Sequence, residues 1–392
     1  MSPAANERGT PRTDLPKRVR DQLERMGRAL DAIDALLRRL ALQGLQRMSS
    51  SSSAELLALS QTAHNAGLVR IERQLEALAT HVRRYTQRDP LFSMGDYAGA
   101  INQVWLLSRA VRRRREEGTL PAEMLDLVGE ARRTYTVVDE PMHLQPLGAW
   151  GWHTDSGFIG ITVAMWCEGR DDLLQVTNAR PAMHFGTDPA ALLRMHISET
   201  VGRSMRDLAH GAWLFEGAKL SRDGRLSIHR DLRVSEGAYK GGRAYAACDV
   251  EDWRQLLDRL RDQERAPVRA PTEAPLLAYV RPAFTDLLDV DHKRARAGCT
   301  LADARRMPLR LSVPLRGENN LLVDNLERLY GTGVRVGAEP EGLFGRVSVS
   351  GGALVFHPYT AVFPDGITLR KGGLRRVHEV HLSLESLEKA RG

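Results

Sequence analysis

A heptad repeat of apolar residues near the N-terminus constrains the fold more than any other feature of this sequence. Seven apolar side chains alternate in spacings of four and three residues, namely Val19, Leu23, Met26, Leu30, Ile33, Leu37 and Leu40. That spacing places them along one side of an α-helix, as at the a and d positions of a coiled coil. The segment therefore predicts a long helix whose apolar seam packs against another helix.

A second apolar seam follows a run of five serines, Ser49–Ser53. We interpret this run as a turn whose last serine lies near the next helix N-cap. The apolar spacing then resumes from Leu68 to Tyr85. Two long helices joined by a short loop predict an antiparallel pair, and further helices are expected after Ser93 and Pro121.

The first seam has two candidate partners. An intramolecular bundle is the favoured arrangement, because short loops bring consecutive helices together. The alternative is self-association through the N-terminal helices, because a strict a/d stripe is narrower than a globular helix usually presents. In that case the seven residues would form an interaction seam with a second copy.

An arginine run closes the third predicted helix, at Arg112, Arg113, Arg114 and Arg115. Four cations at a helix C-terminus complement the negative end of the helix dipole. They are also candidate contacts for nucleic-acid phosphates.

After about Thr134 the periodicity becomes that of β-strands. Alternating residues flank Asp223-Gly224 within Gly217–His229, which predicts a hairpin, and Gly345–His357 predicts a second hairpin turning at Gly351-Gly352. The two segments share their glycine positions, which is typical of an internal repeat but also of unrelated hairpins. Small barrels of the OB type fit this length and number of strands.

We therefore predict an α+β multidomain protein. An N-terminal antiparallel helical bundle with coiled-coil-like helices precedes two small β-rich α+β units, which OB-like barrels would fit. The expected boundaries are a disordered tail at 1–14, the helical bundle at 15–133, a first β-rich domain at 134–265, a proline-rich linker at 266–275 and a second β-rich domain at 276–392.

The charge balance is basic, with 56 Lys and Arg against 49 Asp and Glu and a pI near 9.5. A basic surplus is typical of nucleic-acid-binding proteins, although here it is spread along the chain. Aromatic rings near basic residues can stack bases, and the strongest such group places Phe344, Phe356, Tyr359 and Phe363 near cations. The cations are Arg346, Arg370, Lys371, Arg375 and Arg376.

One motif points to metal chemistry. His153 and Asp155 have the His-x-Asp spacing of iron(II) oxygenases, for which the third ligand would be His184, His196, His210 or His229. With 12 histidines and 49 acidic residues among 392, chance alone gives about 12 × 49/392, or 1.5, such pairs. The stretch is more simply explained as a polar turn.

Other catalytic signatures are absent from the sequence. It has no GxxxxGK[ST] phosphate loop, no GxSxG elbow and no HExxH pair. Cys167, Cys248 and Cys299 lack the spacing of a zinc site and are too dispersed for a disulfide framework. We therefore predict no enzymatic activity, no cofactor and no bound metal.

The sequence also favours a cytoplasmic location. No stretch approaches the roughly 18–20 consecutive apolar residues of a membrane helix. The first residues, MSPAANERGT, lack the apolar core of a signal peptide. We expect no membrane partner.

Three motifs carry a resemblance to known proteins: RDPLF at Arg88–Phe92, SGFIGITVAMW followed by TNARPA between Ser156 and Ala182, and SRDGRLSIH at Ser221–His229. Together they resemble uncharacterised bacterial proteins that accompany SWIM zinc-finger proteins in gene clusters with MoxR-type ATPases and von Willebrand A-like proteins. The SWIM signature itself, Cys-x-Cys followed by Cys-x-His, is missing, so zinc binding is not implied. The resemblance implies a cytoplasmic component of a multi-protein system.

These observations give three hypotheses. The first is a non-enzymatic scaffold or adaptor that contacts other proteins of its system, such as an ATPase or a von Willebrand A-like protein. The second is a DNA- or RNA-binding protein that uses OB-like domains and an arginine-rich surface. The third is an iron-dependent oxygenase that uses His153 and Asp155.

Overall fold

The chain divides into a helical unit and a barrel unit. The computed structural model describes residues 16–130, 133–154, 157–199, 201–265, 276–333, 338–350, 352–369 and 375–387. The predicted tail and the predicted linker lie outside the described residues. The helical unit is drawn from Met1–Arg133 and Asp262–Glu273, and the barrel unit from Thr134–Arg261 and Ala274–Gly392.

The helical unit confirms the predicted N-terminal bundle. Its helices are α1 (Lys17–Gln43), α2 (Ser50–Asn65), α3 (Val69–Thr86), α4 (Met94–Glu116) and the single turn α5 (Leu125–Val128). Most of the first seam is buried in the core that these helices share, whereas Val19 and Leu23 at its start are partly buried. The seam therefore packs inside its own chain, as the intramolecular alternative requires.

The helix boundaries differ from the sequence prediction in three places. The serine run forms the first turn of α2, with Ser49 as N-cap, rather than a separate turn. Gly67, at φ +77°, separates α2 from α3, where a single long helix was expected. The helix expected after Pro121 is short, because Gly129, at φ +80°, ends α5 after one turn. Among the described helices, none combines the length and apolarity that a membrane crossing requires.

The first barrel is built from β1 to β8 with two short helices. The strands are β1 (Tyr135–Val137), β2 (Met142–His153), β3 (Phe158–Glu168), β4 (Asp172–Pro181), β5 (Trp213–Glu216), β6 (Lys219–Ser221), β7 (Arg225–Ser227) and β8 (Arg233–Glu236). Helices α6 (Ala182–Phe185) and α7 (Met205–His210) lie between β4 and β5 in the chain, and α8 (Arg254–Arg265) follows β8.

The strand order of this sheet is that of an OB barrel. The order is β1-β6-β7-β4-β3-β2-β5-β8, and β4 pairs with β7 in parallel. Because β1 and β2 are consecutive pieces of one strand, the pairing of β1 with β6 closes the sheet. The OB topology has three features. They are a three-strand meander, a parallel pairing of the last meander strand with the final hairpin, and closure of the sheet on the first strand. The predicted hairpin at Asp223-Gly224 is confirmed as β6–β7.

The second barrel repeats this topology. Its elements are β9 (Leu276–Val280), β10 (Phe284–Thr285), β11 (Asp289–Asp291), β12 (Arg296–Ala302), β13 (Pro308–Pro314), α9 (Asn320–Tyr330), β14 (Gly342–Ser350), β15 (Ala353–Leu369) and β16 (Arg375–His381). Strand β13 runs parallel to β15, and β14 pairs with β9 to close the sheet. The pieces β9, β10 and β11 together correspond to the first OB strand, so the meander continues with β12 and β13.

The two barrels pack on each other through an apolar layer, which we call the inter-barrel layer. It consists of Leu147, Ala164, Ala244, Tyr245, Cys248, Leu277, Tyr279, Phe344, Tyr359 and Val362. Trp150 of β2 stacks on Tyr359 of β15 with ring centroids 4.3 Å apart and an interplanar angle of 12°. The Tyr245 hydroxyl donates to the Leu147 carbonyl at 2.8 Å, so the polar end of that ring is satisfied.

We expect Gly148→Ala to destabilise the barrel unit by about 1–3 kcal/mol, because a buried methyl group would overpack the inter-barrel layer. A Cβ at Gly148 would meet Phe344 Cδ1 at 2.6 Å and Thr360 Oγ1 at 2.7 Å. Gly317→Ala is the matched control, because a Cβ there meets nothing within 4 Å. Urea unfolding of both variants checks the prediction. Equal midpoints for Gly148→Ala and the wild type would contradict this close approach.

Candidate functional site

Ion pairs and close packing within the helical unit hold part of the predicted arginine run at the end of α4. Arg112 donates to Asp31 Oδ1 and Asp34 Oδ2 at 2.9 Å each, which ties α4 to α1. Arg113 donates to Glu117 Oε1 at 2.9 Å, and Arg114 lies 3.9 Å from the other oxygen of that carboxylate. The Arg115 guanidinium lies over Gly27, where a Cβ would approach it within 2.1 Å. The side chains of Arg113 and Arg114 are nevertheless well exposed.

The structure describes some of the predicted C-terminal cations but not all of them. Arg346 is exposed on β14. Arg376 is exposed on β16 and donates through Nε to the Asp365 carbonyl at 3.0 Å. Arg375 begins β16, and Arg370 and Lys371 lie outside the described residues.

The aromatic residues predicted beside these cations do not form a base-stacking surface. Phe344, Phe356 and Phe363 are buried, and Tyr359 is enclosed by its stacking on Trp150. Their alternation indicates strands correctly, but two of the rings face the other barrel and two face the core of their own barrel. Phe344 and Tyr359 belong to the inter-barrel layer, whereas Phe356 and Phe363 belong to the core of the second barrel.

The outward side of β12 and β13 carries a polar face. Arg296 and Thr300 lie on this side of β12, and the exposed Arg310 and the buried Ser312 lie on it in β13, whereas the alternate residues of both strands are buried in the barrel core. Thr300 pairs with Arg310 in the strand register. Arg296 Nη1 donates to Ser312 Oγ at 3.3 Å, which holds the guanidinium against the sheet. We call these four residues, together with Arg346, the arginine face.

Arg346 extends this face across the parallel strand pair. Arg346 pairs with His357 of β15. Val355, two residues earlier on β15, is the partner of Arg310 on β13. Burial and the positive charge of Arg346 lower the pKa of His357 to about 4, although a hydrogen bond with the Ser312 backbone acts to raise it. His357 is therefore neutral at physiological pH, and the cations of the face are the arginines.

A shallow depression of about 260 Å³ lies along the arginine face. Its cationic wall includes Arg294, Arg296 and Arg310, and its other wall carries Asp286, Asp289 and Asp291. Phe284 of β10, two residues before Asp286, is 41% exposed and pairs with Ala302, which lies on the same side of β12 as Thr300. The Arg306 guanidinium carbon lies 3.4 Å from the Phe284 ring centroid. This ring is an exposed aromatic group that sequence reasoning missed.

The corresponding face of the first barrel is covered. Ala164 on the outward side of β3 belongs to the inter-barrel layer, and Trp166 packs against it. Thr162, on the same side, is buried and accepts from Trp152 Nε1 at 3.0 Å. Among the described residues, the central part of β3 is therefore enclosed, whereas β12 and β13 of the second barrel present accessible arginines.

A second candidate site is a buried polar cluster formed by His210, His381 and Glu385. His210 Nε2 lies 2.9 Å from Glu385 Oε1, and the two imidazole centroids are 4.6 Å apart. The His381 backbone N–H donates to Glu385 Oε2 at 3.2 Å, and its ring Nδ1 lies 3.0 Å from Thr360 Oγ1. One ligand atom from each of the three residues lies within 4.8 Å of the others.

Two carboxylates in this region have opposite pKa shifts. Burial disfavours the charge of Glu385, but hydrogen bonding and positive charge from His210 and His381 outweigh it and lower the pKa to about 2. Burial raises the pKa of Glu379, although the Tyr239 hydroxyl donates to it. Glu385 is therefore ionised at neutral pH.

A cavity of about 990 Å³ lies beside the cluster. Its polar lining includes Arg194, Arg206, Ser383 and Glu385, with apolar side chains from both barrels. Arg206 Nε lies 4.0 Å from Glu385 Oε1.

The oxygenase hypothesis gains no geometric support from the described residues. His153 ends β2 and lines the same cavity, but Asp155 lies outside the described residues. Among the described side chains, the group with metal-ligand spacing is His210, His381 and Glu385, which does not include His153.

The three cysteines are buried. Burial raises the pKa of Cys248 and of Cys299 to about 12 in each case. Burial likewise raises the pKa of Cys167. Thiols with such pKa values are poor nucleophiles at neutral pH.

Comparisons with known proteins connect the helical unit to a domain family. Residues 26–127 match the family model of the YehQ four-helical bundle domain. This match overlaps the helical part of the resemblance described above, and the association with SWIM, MoxR and von Willebrand A-like proteins stays a prediction. No curated protein matches the chain in sequence.

Solved structures resemble the chain weakly. The Ifi202 HINa domain in complex with 20bp dsDNA has 10% identity and a TM-score of 0.28, covering 57% of this chain and 94% of its own. The p202 HIN1 complex with 12-mer dsDNA has 11% identity and a TM-score of 0.27, covering 58% and 93%. A replication protein A heterotrimer bound to ssDNA has 12% identity and a TM-score of 0.26, covering 58% and 48%. TM-scores this low do not establish a shared fold, so the OB assignment rests on the strand order.

The pKa of His357 gives a pH dependence that a variant can isolate. Its folded pKa of about 4 lies below the unfolded value of 6.5, so the unfolded chain binds more protons between these values. This contribution is fully present above the unfolded pKa and is lost as the pH falls towards 4. We expect His357→Gln to lose less unfolding free energy than the wild type between about pH 7 and pH 5, by urea titration. Equal losses in the two proteins would contradict the assignment.

Proposed function

We propose that this chain is a non-enzymatic protein that binds single-stranded nucleic acid along the arginine face of the second barrel. The observation that carries the proposal is the outward placement of Arg296, Arg310 and Arg346 on the open side of an OB barrel. In OB folds the second and third strands are the usual surface for oligonucleotides. In the second barrel these strands are β12 and β13.

Charge and shape favour an unpaired strand as the ligand. The arginines can neutralise successive phosphates, with release of the counterions that condense on nucleic acid. The depression beside them offers hydroxyl and carboxylate groups to the hydrogen-bonding edges of exposed bases. The exposed Phe284, backed by Arg306, supplies one ring on which a base can stack.

We expect Arg310→Glu with Arg346→Glu to weaken binding of an unstructured oligonucleotide of about 20 residues by about tenfold or more at low salt, because phosphate contacts dominate affinity. Fluorescence anisotropy at several salt concentrations measures this loss. For each phosphate contact removed, the slope of log affinity against log salt should become shallower by about 0.7.

The matched control is Arg230→Glu with Arg233→Glu, which makes the same charge change at exposed positions of the first barrel. If both double variants lose affinity equally, net charge rather than the arginine face determines binding. If wild-type protein binds neither DNA nor RNA single strands at low salt, the proposal fails.

Exposed apolar side chains favour a second function for the helical unit, as an adaptor that contacts another protein of its system. On α4, Trp105 is 48% exposed and its neighbour Leu106 is 39% exposed. Arg109 lies over the Trp105 ring at 5.7 Å, which leaves one cationic group beside the apolar pair. Aromatic side chains flanked by arginine are typical of protein-binding hot spots.

We expect Trp105→Ala with Leu106→Ala to abolish recovery of protein partners that copurify from the native host after nuclease treatment, because truncating hot-spot side chains removes most of the binding energy. Quantitative mass spectrometry of the purified material measures recovery. Leu42→Ala on α1 is the control, because Leu42 is 88% exposed and no aromatic residue lies within four positions of it in the sequence. Partners recovered equally with all three proteins would contradict a role for this part of α4.

A further inference from the structure

Two imidazoles and one carboxylate from separate parts of the barrel unit meet in a buried position. His210 comes from the end of α7, His381 from the end of β16, and Glu385 from the segment that follows. The side chains of His210 and Glu385 are 3% and 5% exposed, and His381 is buried completely. We propose that these three residues bind a divalent transition-metal ion, Zn²⁺ in preference to Mg²⁺ or Ca²⁺, that joins the two barrels.

The ligand types determine this choice of metal. Imidazole nitrogen suits zinc and its neighbours in the transition series, whereas magnesium and calcium require sites composed largely of oxygen. Two histidines and one glutamate with a fourth position for water form a common tetrahedral zinc set.

The separations in the cluster fit such a set with small movements. With zinc bonds of about 2.0–2.2 Å, ligand atoms of a tetrahedral site lie about 3.4 Å apart. The His210 Nε2 to Glu385 Oε1 distance is 2.9 Å, and the three ligand atoms are all within 4.8 Å of one another. Side-chain rotations that move the ligand atoms of His381 and Glu385 by a few tenths of an ångström to about one ångström would bring these atoms to tetrahedral positions.

Surrounding groups orient the ligands. Thr360 Oγ1 lies 3.0 Å from His381 Nδ1, which assigns Nε2 of that ring to the metal. The His381 backbone N–H holds Glu385 Oε2 at 3.2 Å, so that Oε1 faces His210. Such contacts fix the orientation of metal ligands before the ion binds.

The adjoining cavity gives the ion a route to the cluster and leaves room for a water at the fourth position. Glu385 lines this cavity together with Ser383 and Arg206. Arg206 also opposes the ion, because its Nε lies 4.0 Å from Glu385 Oε1. Removing that cation while keeping all three ligands should therefore tighten metal binding.

The test uses the full-length protein, stripped of metal with a chelator and then titrated with Zn²⁺ or Co²⁺ alone. We expect one ion per chain in competition with a chromophoric chelator, and Co²⁺ to give the intense visible absorption of a tetrahedral site. His381→Ala should weaken binding by about a hundredfold or more, because loss of a ligand costs at least as much as loss of a group that orients one. The control His378→Ala, at an exposed position of the same strand, should bind as the wild type does.

A second variant keeps the test decisive if His381→Ala fails to fold. Arg206→Met should bind Zn²⁺ about tenfold more tightly or better, since a nearby positive charge is removed. Weak, non-stoichiometric zinc binding together with a featureless Co²⁺ spectrum of the wild type would overturn the proposal. Stoichiometric binding that His381→Ala leaves unchanged, in a folded protein, would also overturn it. These readouts involve no nucleic acid, so they are independent of the arginine face.

Discussion

The contact between the two barrels is the constraint on which the rest of the barrel unit depends. Trp150 stacks on Tyr359, and Gly148 allows β2 to approach Phe344 with no side chain between them. An aromatic pair of this kind contributes about 0.5–1.5 kcal/mol beyond its buried area. Its larger effect is geometric, because it decides which outward surface of each barrel is enclosed. The face of β3 is closed by this contact, and the face of β12 and β13 stays accessible.

The same contact explains why polar groups are enclosed nearby. A carboxylate such as Glu385 is costly to bury unless it is hydrogen-bonded and balanced by positive charge. His210 supplies a partner from one barrel and the His381 backbone supplies another from the second, so each barrel completes the polar contacts of the other. The cluster is therefore specific to the docked arrangement of the barrels.

Local patterns in the sequence predict the elements whose neighbours lie close along the chain. The seam of α1 and the hairpin at Asp223-Gly224 are of this kind, because periodicity and turn chemistry act over a few residues. The sequence does not predict β2, whose apolar residues are interrupted by Pro146 and by glycines. Nor does alternation reveal which residues face the barrel core and which outward faces a second barrel covers, and this is why Phe344, Phe356, Tyr359 and Phe363 are enclosed. His210 lies 175 residues from Glu385, so only the tertiary fold brings that cluster together.

The parallel strand pairs of the barrels also affect how the chain folds. Strand β4 must find β7, and β13 must find β15, across an intervening segment that contains helix and further strand. Pairings between distant residues carry a large loop-closure entropy, so barrels of this kind form in milliseconds to seconds, whereas helical bundles form in microseconds to milliseconds. Helices α1 to α5 precede all the strands in the sequence, and they share one apolar core. During synthesis these helices therefore leave the ribosome, and can pack together, before the strands that seal either barrel emerge.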